Sequence, residues 1–250
     1  LDVEIIPFEF SAPTRQVYYA VKSVAAGAAE MYAMDKVEQL IYCDVDSLFL
    51  NDPSLMLLDR RKKLGVRPVD IKNIGLAWDE PLDAFWKTVY DLLKVPEENI
   101  FPVIATVDYV KLRAYFNACL LTVKPEYGLL QQWSANFLRL ADLPVWDEFF
   151  AKDKQYRIFL HQAILNGTLL AELNEDEFEI YSIHVNFPLY SYPKHPHKPE
   201  WINELVTCRL DLLENDNCWK NWLPMREPLR SWLLNQYEDI EEDTSAPIQI

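Results

Sequence analysis

The stretch LIYCDVDSLFLNDP, residues 40–53, places two aspartates one residue apart directly after a run of apolar residues. The apolar run predicts a buried central strand of a mostly parallel sheet, because such strands are covered on both faces. In open α/β sheets, ligands bind beyond the carboxyl ends of the strands. Alternate residues of an extended chain point to the same side, so Asp44 and Asp46 are expected to face one cation.

This pair of carboxylates suits a divalent cation that carries a diphosphate. Mg²⁺ or Mn²⁺ held by one or two carboxylates usually completes its coordination with water and phosphate oxygens. The chain contains no GxGxxG or GxxxxGK[ST] loop, so a bound nucleotide needs another way to hold its phosphates. The simpler interpretation is that Asp46 and Ser47 cap a turn after the strand. The spacing alone leaves both interpretations open.

Composition bounds the class of protein and its partners. A chain of 250 residues, half of them hydrophobic, can bury a full core and is expected to form one domain with additional elements. The formal net charge of -15 would repel a phosphate backbone, so nucleic acid is not an expected partner. No apolar run reaches the roughly 20 residues that span a bilayer, and no basic-then-apolar leader opens the chain, so no membrane span is expected. Four cysteines without a CxxC pair indicate a reduced, cytoplasmic protein, with a Cys208–Cys218 disulfide as the alternative.

Strands and helices are predicted to alternate along most of the chain, which indicates an α/β fold with a mostly parallel sheet flanked by helices. Residues 201–236 are predicted to form a helical extension packed on the same domain, and residues 237–250 a loosely ordered acidic tail. The predicted strands cover residues 1–10, 39–43, 64–69, 103–108, 115–123 and 178–183, and the main predicted helices cover residues 14–35, 81–94, 127–140 and 155–166.

Three segments resemble motifs of one enzyme family. In order, LIYCDVDSLFLNDP, YFNACLLTVKPEYGLLQQW and FLHQAILNG resemble the DxD strand end, the FN(A/S)G-type strand and the DQ-type helix of family 8 glycosyltransferases and their GT-A-fold relatives. The resemblance covers about residues 14–200. It implies a Rossmann-like GT-A domain over residues 1–200, whose first strand is expected to be missing from this sequence. It also implies a nucleoside diphosphate sugar donor, usually a UDP-sugar, and Mn²⁺ or Mg²⁺ as cofactor.

The resemblance also assigns individual residues to the donor site. Asp44 would face the nucleoside and the metal, and Asp46 would ligate the metal. Asn117 matches an asparagine that lies near the donor sugar. Gln162 matches a glutamine that lies beside the reacting anomeric carbon, so Asn117 and Gln162 are the candidate catalytic residues.

A later part of the chain supplies the remaining candidates. Asn186, in HVNFP, resembles the asparagine of a late donor-binding loop. His195 and His197, in KHPHKPEW, are candidates for a further metal ligand. Asp108, at the end of VIATVD, is a candidate for approaching the acceptor.

The resemblance therefore implies a metal-dependent glycosyltransferase of the hexosyltransferase type, retaining in mechanism, whose acceptor is an unidentified glycan, protein or small molecule. Two departures from the family pattern favour an alternative. His161 stands where an aspartate is usual, and Cys119 stands where a glycine is usual. Together with the expected loss of the first strand, they indicate a non-catalytic or truncated protein that binds a sugar nucleotide.

A lesser alternative is a different class of enzyme. YCDVDSLFL also resembles the nucleophile strand of haloacid-dehalogenase-type phosphatases, in which Asp44 would be phosphorylated and Asp46 would act as acid and base. That superfamily needs a later GDxxxD-like acidic pair. No Gly-Asp dipeptide occurs in the chain.

Overall fold

The computed structural model describes residues 3–9, 19–210 and 219–243, the last six as backbone only. The chain divides into two compact units: unit 1 comprises Leu1–Cys43 and Met56–Tyr181, and unit 2 comprises Asp44–Leu55 and Ser182–Ile250. The second part of unit 2 begins directly after Tyr181, whereas the helical extension was expected to begin at residue 201.

The described residues contain helices and strands in alternation. In chain order they are α1 (Ala20–Ala33), β1 (Leu40–Cys43), β2 (Ser47–Phe49), β3 (Leu64–Val66), α2 (Ala84–Leu93), β4 (Pro102–Ile104), β5 (Lys111–Arg113), β6 (Leu120–Val123), α3 (Leu129–Leu140), α4 (Asp147–Lys152), α5 (Lys154–Glu172), β7 (Phe178–Ile180), β8 (Phe187–Pro188), β9 (Thr207–Arg209), α6 (Trp219–Trp222) and α7 (Leu229–Asp243).

Unit 1 is built on a four-stranded mixed sheet with the strand order β1-β6-β3-β7. Strand β6 runs antiparallel to β1 and β3, whereas β3 and β7 are parallel. Three of the four strands therefore share one direction, and the α/β class is confirmed. Strand β1 differs from the prediction, because it lies at the end of this four-stranded sheet and its residues are only half-buried. Strands β4 and β5 form a separate antiparallel ladder.

Close helix packing explains why α5 is longer than predicted. The pattern placed its end before Gly167, yet the helix continues to Glu172. A side chain at Gly167 would collide with Leu93 and Val89, which belong to α2. Gly167 therefore allows two helices to approach, and it does not end one.

A buried carboxylate joins α1 to α3. Glu30 is fully buried in α1, and its Oε2 accepts the backbone N–H of Gln131 at 2.8 Å in the first turn of α3. Carboxylates are favoured at helix N-termini, where backbone N–H groups lack partners within the helix. Burial raises the pKa of Glu30, although backbone N–H groups of α3 act in the opposite direction.

Unit 2 has its own three-stranded sheet with the order β2-β9-β8. Strand β2 is antiparallel to β9, and β8 is parallel to β9. Phe187 and Cys208, which are paired across β8 and β9, belong to an apolar core that also contains Trp219 and Leu233. The core of unit 2 thus covers one face of this small sheet.

Several predicted elements differ from those observed. Residues 3–9 form neither helix nor strand, so the predicted first strand is wrong there, and the predicted helix start at Thr14 lies outside the described residues. The helical extension contains a strand, β9, because this segment pairs with β2 and β8. Helix α7 continues through the first part of the predicted tail, and residues 244–250 lie outside the described ranges.

Two further expectations concern the cysteines and the membrane. Cys208 is buried in β9, whereas Cys218 lies outside the described residues, so the disulfide alternative stays a prediction. Within the described ranges, no helix combines the length and the apolar character that a membrane crossing requires.

Candidate active site

Asp44 and Asp46 lie on a tight turn that directly follows β1. The backbone N–H of Ser47 donates to the carbonyl oxygen of Asp44 at 3.1 Å and closes the turn. Val45 at its tip is fully exposed, whereas both aspartates are half-buried. The expectation of an extended chain through Asp46 is therefore wrong, since a turn replaces it. The turn nevertheless separates two sheltered carboxylates from one exposed apolar side chain.

The sheet of unit 2 anchors this turn. Leu210 donates its backbone N–H to the carbonyl oxygen of Asp46 at 2.9 Å. In the next position of the ladder, Ser47 pairs with Arg209. The position of Asp46 is thus set by long-range pairing between β2 and β9.

Asn186 has a left-handed backbone conformation, with φ of 56°. It is buried, and its backbone N–H donates to Thr207 Oγ1 at 2.7 Å. Asparagine tolerates this conformation better than most residues, but it still carries strain that concentrates at functional sites. Five other described non-glycine residues share this conformation, so it assigns no role by itself, and the donor-binding role of Asn186 stays a prediction.

The two candidate histidines have different surroundings. His195 is buried against the ring of Phe187, with centroids 5.1 Å apart, and its Nδ1 accepts the backbone N–H of His197 at 3.2 Å. This contact orients the His195 ring, and a metal-ligand role of His195 stays a prediction. The exposed His197 likewise stays a candidate ligand.

The donor chemistry of the turn fits a cation that is shared with a substrate. Among residues 3–9, 19–210 and 219–237, no group of three or more His, Cys, Asp or Glu side chains is arranged to hold a metal ion. Asp44 and Asp46 supply two carboxylates from one turn. Two carboxylates are a typical protein contribution to Mg²⁺ or Mn²⁺ when phosphate oxygens and water complete the coordination.

In unit 1, Asn117 and Gln162 are brought together around one short segment of backbone. Asn117 Oδ1 accepts the backbone N–H of Cys119 at 2.9 Å, and Gln162 Oε1 accepts that of Ala118 at 3.3 Å. Both side chains are more than nine-tenths buried. Residues 115–119 therefore form a loop before β6 and not the beginning of the predicted strand.

Asn166 holds this loop and was not identified from the sequence. Its Oδ1 accepts the backbone N–H of Phe116 at 2.7 Å, and its Nδ2 donates to the carbonyl oxygen of Phe116 at 3.0 Å. The same Nδ2 donates to the carbonyl oxygen of Gln162 at 2.8 Å. Asn166 follows Gln162 by four residues, which places both on one helix face, and this spacing is the signal that could have revealed it.

The residue before Gln162 in α5, His161, is buried and carries no charge. Burial, with a smaller contribution from the cation of Lys22, lowers the pKa of His161 to about 3, so this side chain is neutral at ordinary pH. Its Nδ1–H donates to the carbonyl oxygen of Ile158 at 3.0 Å. Lys22 Nζ lies 3.8 Å from Cys119 Sγ. The position where the family pattern has an aspartate thus carries no negative charge, and Lys22 is a neighbour that the sequence did not reveal.

Asp108 has a local structural contact. Its Oδ2 accepts the backbone N–H of Lys72 at 2.7 Å, and its Oδ1 accepts that of Val110 at 3.3 Å. These hydrogen bonds hold a loop. That the Asp108 carboxylate approaches the acceptor stays a prediction. The other predicted residues fall into two sets: Asp44, Asp46, Asn186 and the two histidines belong to unit 2, and the two amides belong to unit 1.

Comparisons with known proteins found similarity to glycosyltransferases. The family model of the Rhodobacterales glycosyltransferase domain matches residues 1–168. Among solved structures, the apo form of mouse xyloside xylosyltransferase 1 is 10% identical with a TM-score of 0.38, over 80% of this chain and 72% of that chain. The galactosyltransferase LgtC, in complex with donor and acceptor sugar analogs, is 15% identical with a TM-score of 0.39, over 90% and 68% of the two chains. No curated protein matches in sequence.

The family match confirms the predicted glycosyltransferase relationship, and the narrower assignment to family 8 stays a prediction. The matched region includes both Asp44 and Asp46, so the phosphatase interpretation of this pair gains no support. Because the match extends over about two thirds of the 250 residues, the chain belongs to the Rhodobacterales glycosyltransferase domain family.

Proposed function

We propose that this chain transfers a sugar from a nucleoside diphosphate sugar, in the first place a UDP-sugar, to an acceptor. The proposed reaction depends on Mn²⁺ or Mg²⁺, retains the anomeric configuration and takes place on a GT-A fold. The observation that carries the proposal is the turn at Asp44–Ser47, which directly follows β1 and shelters two carboxylates one residue apart. Family membership supplies the reaction class.

The carboxylates of Asp44 and Asp46 would hold the cation, with His195 or His197 as the candidate third protein ligand. A divalent cation bound there would stabilise the negative charge that develops on the leaving diphosphate. Anchoring of the turn by the bond between Leu210 and Asp46 supports this role, because preorganised ligands do not have to be ordered when substrate binds.

Asn117 and Gln162 are proposed to contact the donor sugar. Asn117 Oδ1 is engaged by the N–H of Cys119, so the amide NH₂ is the group that would meet a sugar hydroxyl. Gln162 is a neutral amide, which could stabilise one face of an oxocarbenium-like transition state without forming a stable adduct. Asn186 is proposed to contact the donor as well, because HVNFP resembles a late donor-binding loop of the family.

A second candidate function is binding of a sugar nucleotide without turnover. His161 favours it, because a buried neutral imidazole cannot supply the negative charge of the aspartate that is usual at this position. The same donor contacts would then serve recognition alone.

Calorimetric titration tests the metal and donor assignment. UDP and several UDP-sugars are titrated with and without Mn²⁺ into the wild type, Asp46→Ala and a control, Asp52→Ala, in which an exposed aspartate of unit 2 is removed. We expect metal-dependent binding that weakens by about tenfold or more in Asp46→Ala, which corresponds to at least about 1.4 kcal/mol, and is unchanged in the control. An affinity for UDP and UDP-sugars that depends on neither Mn²⁺ nor Asp46 would contradict the proposal.

Turnover separates the two candidate functions. Release of UDP from a bound donor, measured by a coupled assay with and without Mn²⁺, is expected for a transferase. Tight, metal-dependent binding without release of UDP, over a panel of donors and acceptors, supports the binding function. The anomeric configuration of a product, read by proton NMR, tests retention.

A further inference from the structure

A cavity in unit 1 lies between two strands that do not pair with each other. Its volume is about 690 Å³, within the roughly 300–1,000 Å³ of ligand pockets, and both β4 and β7 contribute to its lining. Within the described residues, β4 pairs only with β5, and β7 pairs only with β3. Each of the two strands therefore has one edge without a neighbouring strand in the described part of the chain.

The open edge of β7 carries the backbone groups of Ile180. The backbone N–H of Tyr181 donates to the carbonyl oxygen of Val66 in β3 at 2.8 Å. Because backbone groups of successive residues point to opposite sides of an extended chain, those of Ile180 point away from β3. Ile180 lines the cavity and is 42% exposed, and its N–H and C=O have no hydrogen-bond partner among the residues that the structure describes. An added strand could bind both groups.

The open edge of β4 offers fewer hydrogen bonds. Ala105 donates its backbone N–H to the carbonyl oxygen of Val110 at 2.9 Å, so the backbone groups of Pro102 and Ile104 point away from β5. Proline has no N–H and is typical of edge strands, so β4 can donate less to a further strand than β7 can. The side chain of Ile104, which is 46% exposed, instead supplies an apolar part of the cavity lining.

The charged residues that line the cavity are mostly acidic. Glu175, Asp176 and Glu179 belong to the lining, and none of them forms an ion pair within the described ranges. Lys62, which also lines the cavity, donates to the carbonyl oxygen of Phe178 at 2.6 Å. The surplus of carboxylates attracts a cationic ligand. It disfavours a second copy of this chain, whose formal net charge is -15.

We propose that this cavity binds an extended basic segment of a partner protein, which adds to the open edge of β7 as a further strand. In strand addition, hydrogen bonds to an exposed sheet edge supply affinity, and pockets for alternate side chains supply specificity. Apolar side chains of the segment would pack against Ile104 and Ile180, and alternate Lys or Arg side chains would meet the carboxylates. The inference concerns binding alone and does not depend on the proposed transferase function.

The test uses a fluorescein-labelled peptide of roughly eight residues, the length of a strand, in which Val and Lys alternate. A second peptide has the same sequence with every backbone nitrogen methylated, which removes the N–H donors and leaves the charge unchanged. Both are titrated by fluorescence anisotropy, at physiological salt, into the wild type, Glu179→Lys and a control, Glu148→Lys, at an exposed position of unit 1 outside the cavity.

The expected results separate strand addition from attraction by charge. The first peptide should bind Glu179→Lys at least about tenfold more weakly than the wild type, and Glu148→Lys within about twofold of the wild type. The methylated peptide should bind the wild type at least about tenfold more weakly than the first peptide does. Binding of the first peptide should also slow hydrogen exchange of the Ile180 amide, because that N–H gains a partner.

Several outcomes would overturn the inference. Equal affinity for the two peptides, or equal weakening by Glu179→Lys and Glu148→Lys, indicates attraction by charge alone. The absence of binding, or an Ile180 amide whose exchange is unchanged in saturating peptide, is also contrary. If Glu179→Lys does not fold, as judged by thermal unfolding, Asp176→Lys at an exposed position of the same lining replaces it, and an affinity within about twofold of the wild type then refutes the inference.

Discussion

Replacing Asn166 by alanine tests how the loop at residues 115–119 is held against α5. On one side of this loop, the carbonyl oxygen of Tyr115 accepts the backbone N–H of Val69, and the backbone N–H of Asn117 donates to the carbonyl oxygen of Arg67. Backbone groups of successive residues point to opposite sides of an extended chain. The N–H and the C=O of Phe116 therefore point away from those partners, and the Asn166 amide binds both, as a neighbouring strand would.

The expected loss of stability follows from these two backbone groups. Phe116 is fully buried, so alanine at position 166 leaves one N–H and one C=O without their side-chain partner. Each such group costs about 1–3 kcal/mol, or roughly 2–6 kcal/mol together. The higher helix propensity of alanine offsets about 0.6 kcal/mol. We expect a loss of about 3 kcal/mol, which is large against a total stability of about 5–15 kcal/mol.

Urea unfolding followed by tryptophan fluorescence measures this loss. With an m-value of about 2 kcal/mol/M, the midpoint should fall by roughly 1.5 M. The control is Asn136→Ala, because the half-buried Asn136 side chain of α3 contacts only the side chains of Thr168 and Arg139 among the bonds described. A midpoint for Asn166→Ala as high as that of the control would refute the reasoning. Asn166→Asp should also be destabilised, since a carboxylate cannot donate to the carbonyl of Phe116.

Three further predictions concern buried groups. Because the pKa of His161 is depressed, its contribution to stability is present above pH 6.5 and is lost as the pH falls towards 3. The stability of the wild type relative to His161→Gln should therefore drop by up to roughly 5 kcal/mol across this window. Urea titrations at several pH values measure this difference. The raised pKa of Glu30 gives stability the opposite pH dependence, because its contribution is present below pH 4.5 and is lost as the pH rises. Glu30→Gln should therefore gain stability relative to the wild type between about pH 4 and pH 7. A stability difference that stays constant over this range would contradict the prediction. A side chain at Gly65 would collide with the hydroxyl of Tyr181, which donates to the carbonyl oxygen of Met56 at 2.7 Å. Gly65→Ala should therefore lower the free energy of unfolding by about 2–4 kcal/mol in thermal or urea unfolding. Adding Tyr181→Phe should recover part of this loss.

The sequence by itself determined the class of fold and the chemistry of the candidate residues. Alternating strand and helix periodicities depend only on nearby residues, and they predicted α2, α3, β3 and β7 within a few positions. The three motifs, in their order, predicted a glycosyltransferase, and the family model confirms that relationship. The carboxylate pair Asp44 and Asp46 was visible because both residues lie in one short segment.

Tertiary structure decided how the candidate residues are held. Periodicity could not reveal that Gly167 lies inside a helix, that Asn166 binds the backbone of Phe116, or that Arg209 lies beside the aspartate turn. The hydrogen bond between the His195 ring and the His197 backbone also became visible only in the tertiary structure. The physical reason is separation along the sequence. Local patterns indicate which side of an element is apolar. Strand register and helix contacts, in contrast, join residues that are 50 to more than 150 positions apart.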